Sequence, residues 1–171
     1  MTENPKPLAL KFAYGKDLMR DLRKEAKIYD ERLEPVQGSA VPNFFGLYKT
    51  KIPVKDRFVR IVGCLLLEYC GESVGLFEYL EVPTRALLLK KLRDIHLCGI
   101  MHGDFAERNV VMQGDDIRII DFHHASRHKC GVKMEVAESR RIPKTSDFGC
   151  VDLWIHCYDM YIWRSTYLLL C

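Results

Sequence analysis

The sequence predicts an α+β fold in a single domain, and three observations predict it. Apolar runs of strand length at residues 8–12, 41–48 and 61–67 alternate with two segments of helical spacing, residues 17–33 and 84–98. A hairpin signal follows, with residues 110–112 and 117–120 as short strands around Gln113, Gly114, Asp115 and Asp116. The chain has 171 residues, 48% hydrophobic and 29% charged, which is enough to bury one core and ordinary for a globular protein.

Taken in order, Leu8-Ala9-Leu10-Lys11-Phe12 is a strand with a single lysine. In residues 17–33, Leu18, Leu22, Ala26, Tyr29 and Leu33 recur at helical spacing, and Pro35 stops the helix near Glu34. Glu25 lies three residues after Leu22 and four before Tyr29, so it shares the buried edge while the other charges face outward. A carboxylate in that position requires a partner, because a buried unpaired charge is costly. Lys24 or Arg32 at the helix rim would be the local choices.

Gln37, Gly38 and Ser39 form a loop, a strand begins in residues 41–48, and residues 49–57 carry the turn chemistry of a hairpin connection. The continuous apolar run at 61–67 predicts a strand buried on both faces. Glu68, Tyr69, Cys70 and Gly71 end it. The second helix is expected over residues 84–98, with Leu88, Leu92 and Ile95 on one face, Thr84 as N-cap and Gly99 as the stop. Residues 124–143 are polar and basic, and a last helix is expected from Ser146 and Asp147 through Val151, Trp154, Ile155 and Tyr158.

The chemistry-bearing stretch is Ile100-Met101-His102-Gly103-Asp104, continued by Asn109 and, beyond the hairpin, by Asp121-Phe122-His123. Asn109 and Asp121 lie almost symmetrically about the hairpin turn, so antiparallel pairing brings them face to face at its open end. Two oxygen donors then converge beside Asp104. Hard oxygen ligands suit Mg²⁺, which is commonly held by one or two side chains plus substrate phosphates, and a further carboxylate is left to orient a hydroxyl nucleophile.

The pattern His-x-Asp-x-x-x-x-Asn followed by hydrophobic-Asp-Phe resembles the catalytic core of protein kinase-like phosphotransferases. The resemblance implies Asp104 as catalytic base, Asn109 and Asp121 as metal ligands, His102 as a loop brace, and Lys11 paired with Glu25 to hold nucleotide phosphates. It implies that Glu68, Tyr69 and Cys70 form a hinge contacting adenine. ATP and Mg²⁺ are the implied cofactors, and the acceptor is a hydroxyl-bearing protein or small molecule. The implied fold is a two-lobe kinase-like domain truncated at both ends, spanning residues 8–171, with a small antiparallel-sheet lobe at 8–69, a mainly helical lobe at 70–163 and flanking tails at 1–7 and 164–171. Gly103 departs from the arginine of regulated protein kinases and is similar to atypical and small-molecule kinases; His123 replaces the usual glycine. A glycine-rich phosphate loop is not found before Lys11, and the large-lobe helices beyond the last one have no counterpart. A pseudokinase or truncated nucleotide-binding scaffold without catalysis is therefore the alternative reading.

A formal net charge of +3 is too small to argue for a nucleic-acid partner. The seven scattered cysteines favour a reducing compartment over a disulfide framework. No signal peptide or apolar membrane span is legible, so an intracellular, cytoplasmic setting is expected. His123, His124, His128 and Cys130 form a second, zinc-like composition, but two adjacent histidines and a lone cysteine fit zinc spacing poorly.

Overall fold

The computed structural model describes residues 7–54, 58–139 and 141–163; the expected tails, apart from Pro7, the tip of the expected turn at 55–57 and Arg140 lie outside the described residues. Among the described residues the fold is mixed α and β, with small antiparallel sheets and four helices. Strands β1 (Leu8–Tyr14), β2 (Phe44–Val54) and β3 (Phe58–Glu68) form one sheet in the order β1-β3-β2. Both pairs are antiparallel, with Lys11 opposite Leu65 and Leu47 opposite Leu65 on the other side. The expected turn region is shorter than its sequence suggests, because β2 runs straight through residues 49–54.

β3 is not buried on both faces. Leu65 and Leu67 lie on the core face with Gly63, whereas Cys64 and Leu66 on the opposite face are only half-buried, and Val62 is covered there without joining the core. The pleat forces this alternation, and helix α1 (Lys16–Glu31) covers one face only. Leu8, Leu10, Phe12 and Tyr14 of β1 stand on the opposite, exposed face, while Ala9, Lys11 and Ala13 turn inward.

Helix α1 buries Met19, Leu22, Glu25, Ala26, Ile28 and Tyr29. Leu18, expected on that face, is exposed; Met19 takes its place directly over Gly63 of β3. The helix ends at Glu31, and a separate 3-10 turn at Glu34–Val36 accommodates Pro35 in its first turn, where a missing N–H costs nothing. Leu33 is nonetheless fully buried, carried by that turn.

Strand β4 (Glu72–Ser73) pairs with β6 (Val110–Gln113), which pairs with β7 (Asp116–Ile119). Helix α2 (Val82–Leu97) begins two residues earlier than its sequence pattern suggests, because Pro83 suits the first helical turn and Thr84 makes no cap. Leu88, Leu92 and Ile95 are fully buried as expected. β5 (Ile100–Met101) pairs with β8 (Ser126–Arg127).

The expected last helix is two helices. α3 (Thr145–Phe148) ends at Gly149 in the left-handed region, and α4 (Val151–Asp159) restarts beyond it. That break resets the helical phase: Leu153 and Cys157 face the core, and Val151, Ile155 and Tyr158 are exposed. A single hydrophobic core nevertheless runs from Met19 and Tyr29 of α1 to Leu153 and Cys157 of α4. Among the described residues no helix is long and apolar enough to cross a membrane.

Candidate functional site

The site is assembled from β1, α1, the end of β3 and the two loops flanking the β6–β7 hairpin. Lys11 Nζ lies 2.7 Å from Glu25 Oε2 and 2.7 Å from Asp121 Oδ1. The pairing of Lys11 with Glu25 is the one the resemblance implies, and neither Lys24 nor Arg32 replaces it. Lys24 instead donates to the His123 carbonyl at 2.9 Å. Glu25 is almost fully buried, and its second oxygen accepts the Phe122 N–H at 3.3 Å. One carboxylate thus ties β1 to α1 and α1 to the segment that follows β7.

The charges in this knot shape one another. Burial pulls the Lys11 ammonium toward deprotonation, but Glu25 and Asp121 more than offset this, leaving its pKa above the usual 10.5. For Glu25 burial prevails over the attraction of Lys11, and its carboxyl titrates above 4.5. Asp121 is pulled the other way: burial would raise it, yet hydrogen bonds from Lys11 and His123 hold it below 3.8. His123 Nδ1 contacts the same Asp121 oxygen as Lys11.

Asp121 adopts the left-handed region, φ 69°. The β6–β7 register sets Val110 opposite Ile119, and the Ile120 N–H donates to the Asn109 carbonyl at 2.9 Å. Asn109 therefore faces Ile120, and the expected face-to-face position of Asp121 is displaced by one residue. The left-handed turn directs Asp121 toward Lys11 instead.

Asn109 and Asp104 form the second half of the site. Asn109 Nδ2 donates to the Asp104 carbonyl at 2.8 Å and to Asp104 Oδ2 at 2.9 Å. Both amide hydrogens are used, so Oδ1 is the Asn109 atom left for a cation. Arg108 engages the other Asp104 oxygen. Desolvation would raise the Asp104 pKa, and these donors together outweigh it, so the carboxyl lies below 3.8. His102 is a brace: its ring donates from Nε2 to the Ile120 carbonyl at 2.9 Å and accepts the Asp104 N–H at Nδ1 across 3.3 Å. Burial lowers its pKa and keeps it neutral. Gly103 has φ 78°, and a Cβ there would stand 2.6 Å from the His124 carbonyl oxygen. An arginine at this position would not fit.

A cavity of about 250 Å³ opens beside the knot, walled by Ala9, Lys11, Leu67, Val111, Ile120 and Asp121, with Glu68, Tyr69, Cys70 and Gly71 along one edge. The three expected hinge residues thus reach the same cavity. Their side chains are engaged elsewhere: Glu68 accepts from Asn43 Nδ2 at 2.7 Å, the Tyr69 hydroxyl donates to Glu72 at 2.6 Å, and the Cys70 thiol points at the Glu68 carbonyl. Main-chain atoms are what remain to meet a ligand, although the Tyr69 N–H already donates to the Pro7 carbonyl at 3.3 Å. A second hollow, about 520 Å³, is walled by Phe77, Phe105, Ala106, Glu107, His156 and Tyr161.

Of the histidine-rich stretch, His123 belongs to the Asp121 cluster and His124 is exposed. His128 and Cys130 turn away from both, toward His96 and Cys150, two residues the sequence did not single out. His96 sits in the last turn of α2, and Cys150 immediately precedes α4, so no local spacing connects them.

No protein-family model matches the chain, and no curated protein matches it significantly.

Proposed function

We propose that this chain is an Mg²⁺-dependent phosphotransferase of protein kinase-like type, moving the γ-phosphoryl group of ATP to a hydroxyl acceptor. The observation that carries the reading is the convergence of Lys11 on Glu25 and Asp121 at the wall of a cavity, with Asn109, which accepts the Ile120 N–H beside Asp121, holding Asp104 on the loop before the hairpin. In this reading β1–β3 with α1 form the small lobe and α2–α4 the large one, and the cavity between them is the nucleotide cleft. Phosphoryl transfer depends on positioning and on compensating negative charge, and a lysine fixed by two carboxylates supplies a held cation beside the phosphates.

The donor set fits Mg²⁺. Asp121 offers a carboxylate and Asn109 an amide oxygen, both hard ligands, and the bound ion would neutralise phosphate charge. Asp104 accepts the acceptor hydroxyl's proton as its oxygen forms a bond to the γ-phosphorus; the bond from that phosphorus to the bridging oxygen breaks, and ADP leaves with the electron pair. Arg108 and Asn109 hold the Asp104 carboxylate in place for this step. His102 fixes the loop and handles no proton.

One observation favours the alternative, a nucleotide-binding scaffold. Among the described residues β1 is an open edge, with β3 on one side and no strand on the other, so nothing there covers the phosphates from above. Turnover of γ-labelled ATP separates the two. Mg²⁺-dependent ATP consumption by the wild type, lost in Asp104→Asn, supports the phosphotransferase; Mg²⁺-dependent binding with no turnover supports the scaffold; neither binding nor turnover overturns both.

A further inference from the structure

Away from the cavity, four soft or borderline metal ligands meet. His96, His128, Cys130 and Cys150 each offer one atom, and these four atoms lie within 4.8 Å of one another. Cys150 Sγ is 3.6 Å from His96 Nδ1 and 3.5 Å from His128 Nε2. Zinc bonds of about 2.3 Å to sulfur and about 2.0–2.1 Å to nitrogen, at tetrahedral angles, set such S and N atoms about 3.5 Å apart. The two separations match that geometry. They also fit a plain thiol–imidazole contact, so the case rests on four ligands converging at once and on how the backbone brings them there.

Two features of the backbone are particular to this point. Cys130 and Cys150 are each next to a glycine, Gly131 and Gly149, and these glycines lie back to back. A Cβ on Gly149 would stand 2.1 Å from the Gly131 carbonyl oxygen, and one on Gly131 would stand 2.8 Å from the Gly149 carbonyl oxygen. The Lys133 N–H donates to the Phe148 carbonyl at 2.9 Å, clamping the same two segments. Side chains at either glycine would drive the cysteines apart. The second feature is Asp152, whose Oδ2 lies 3.4 Å from His96 Nε2, the buried ring nitrogen not facing the cluster, near enough to pair with it although no hydrogen bond is formed. A carboxylate on the outer nitrogen is the usual partner of a metal-bound histidine, because it fixes the tautomer that leaves the inner nitrogen free to ligate.

We propose that His96 Nδ1, His128 Nε2, Cys130 Sγ and Cys150 Sγ form a tetrahedral Zn²⁺ site. All four positions are filled by protein, so the site is structural, with no place for a reacting water. It joins the end of α2, the segment after β8 and the start of α4, three stretches that share no regular hydrogen-bonded sheet at that point. Assembly releases the two thiol protons to solvent and forms two Zn–S and two Zn–N bonds. The inference does not rest on the phosphotransfer reading.

The test uses the full chain, purified under reducing conditions without chelator. Elemental analysis should find one Zn²⁺ per chain surviving desalting. Replacement by Co²⁺ should give the visible bands of tetrahedral cobalt and a thiolate-to-cobalt charge-transfer band. Cys130→Ser and Cys150→Ser should each lower bound zinc at least tenfold, while Cys98→Ser, outside the cluster, keeps it. Should the cluster variants fail to fold, alkylation of the wild type still decides: metal should protect Cys130 and Cys150, and leave Cys64 and Cys98 reactive. Wild-type protein that carries no zinc and gives no cobalt–thiolate band overturns the proposal. So does full metal retention in the Cys130→Ser, Cys150→Ser double variant, or a Cys130–Cys150 disulfide mapped in freshly purified protein.

Discussion

Two polar knots hold distant parts of this molecule together, and they differ in what surrounds them. Lys11, Glu25 and Asp121 are formal charges at the wall of a cavity, with the Lys11 and Asp121 side chains 40% and 28% exposed. His96, His128, Cys130 and Cys150 are nitrogen and sulfur donors packed between α2 and α4, where His96 and Cys150 are almost wholly enclosed. A knot open to a cavity can exchange one partner for a ligand without unfolding the chain, because water and the ligand both reach it. A closed knot cannot. The contrast supports the chemistry proposed for the first and the architectural role proposed for the second.

The sharpest way to test that contrast is at Asp104, which is linked to the open knot only through Asn109 and the Ile120 N–H and touches neither Lys11 nor Glu25. Asp104→Asn should lower phosphoryl transfer by about 10²–10⁴-fold, the usual worth of a general base, and leave the ATP-induced rise in melting temperature unchanged. Asn109→Ala should weaken both, since Asn109 holds Asp104 through two hydrogen bonds and its oxygen is the one proposed for the metal. Equal loss of binding in Asp104→Asn would mean that the loop only binds.

Next in size is the electrostatic cost of opening the knot itself. Lys11→Met leaves Glu25 buried without its cation, which should cost roughly 2 kcal/mol in chemical denaturation, because a stranded buried charge loses more than the pair contributed. Adding Glu25→Leu should recover most of that stability and none of the activity. A double variant no more stable than Lys11→Met alone would show that the pair does not bear on the fold. Smaller again is the metal-linked effect of nucleotide. At ten times its dissociation constant, ATP with Mg²⁺ should stabilise the chain by about 1.4 kcal/mol, and hardly at all with EDTA. Asp121→Asn should remove the difference between the two conditions.

How much of each knot could be read in the sequence follows from how it is built. Glu25 was legible because helical periodicity alone places a carboxylate on a buried edge, and Asp104, Asn109 and Asp121 because they lie within one loop and hairpin. The Asn109–Asp121 symmetry was only approximate: the register faces Asn109 with Ile120, and the left-handed backbone of Asp121 is not spelled by its residue type. The closed knot was half legible. His128 and Cys130 are close in sequence, but their neighbours His123 and His124 belong elsewhere, and His96 and Cys150 are separated from them by whole elements. Helix phase failed at α4 for a comparable reason, since one left-handed glycine restarts the count and turns Val151 and Ile155 outward. Leu18 failed because amphipathic spacing fits two adjacent stripes equally well, and only the space over Gly63 selects Met19.

The smallest expected effect is the acid dependence of the open knot, and it is small because two groups oppose each other. The Asp121 carboxyl is held below 3.8 in the fold, so its contribution to stability is present above 3.8 and is lost as pH falls through the lower folded value. Glu25 is held above 4.5, so the fold binds its proton more tightly than the unfolded chain does. Its contribution is fully present below 4.5 and is lost as pH rises through the higher folded value. Descending in pH, the protein first gains from Glu25 and then loses from Asp121. Removing one group should expose the other: Asp121→Asn should flatten the acid limb below pH 3.8, and Glu25→Leu should remove the gain above 4.5 while keeping the loss below. Urea midpoints measured from pH 7 down to pH 3 would show this. Parallel curves for the two variants would mean that neither carboxyl is coupled to folding through Lys11, and the open knot would then be a surface ion pair of the ordinary, weak kind.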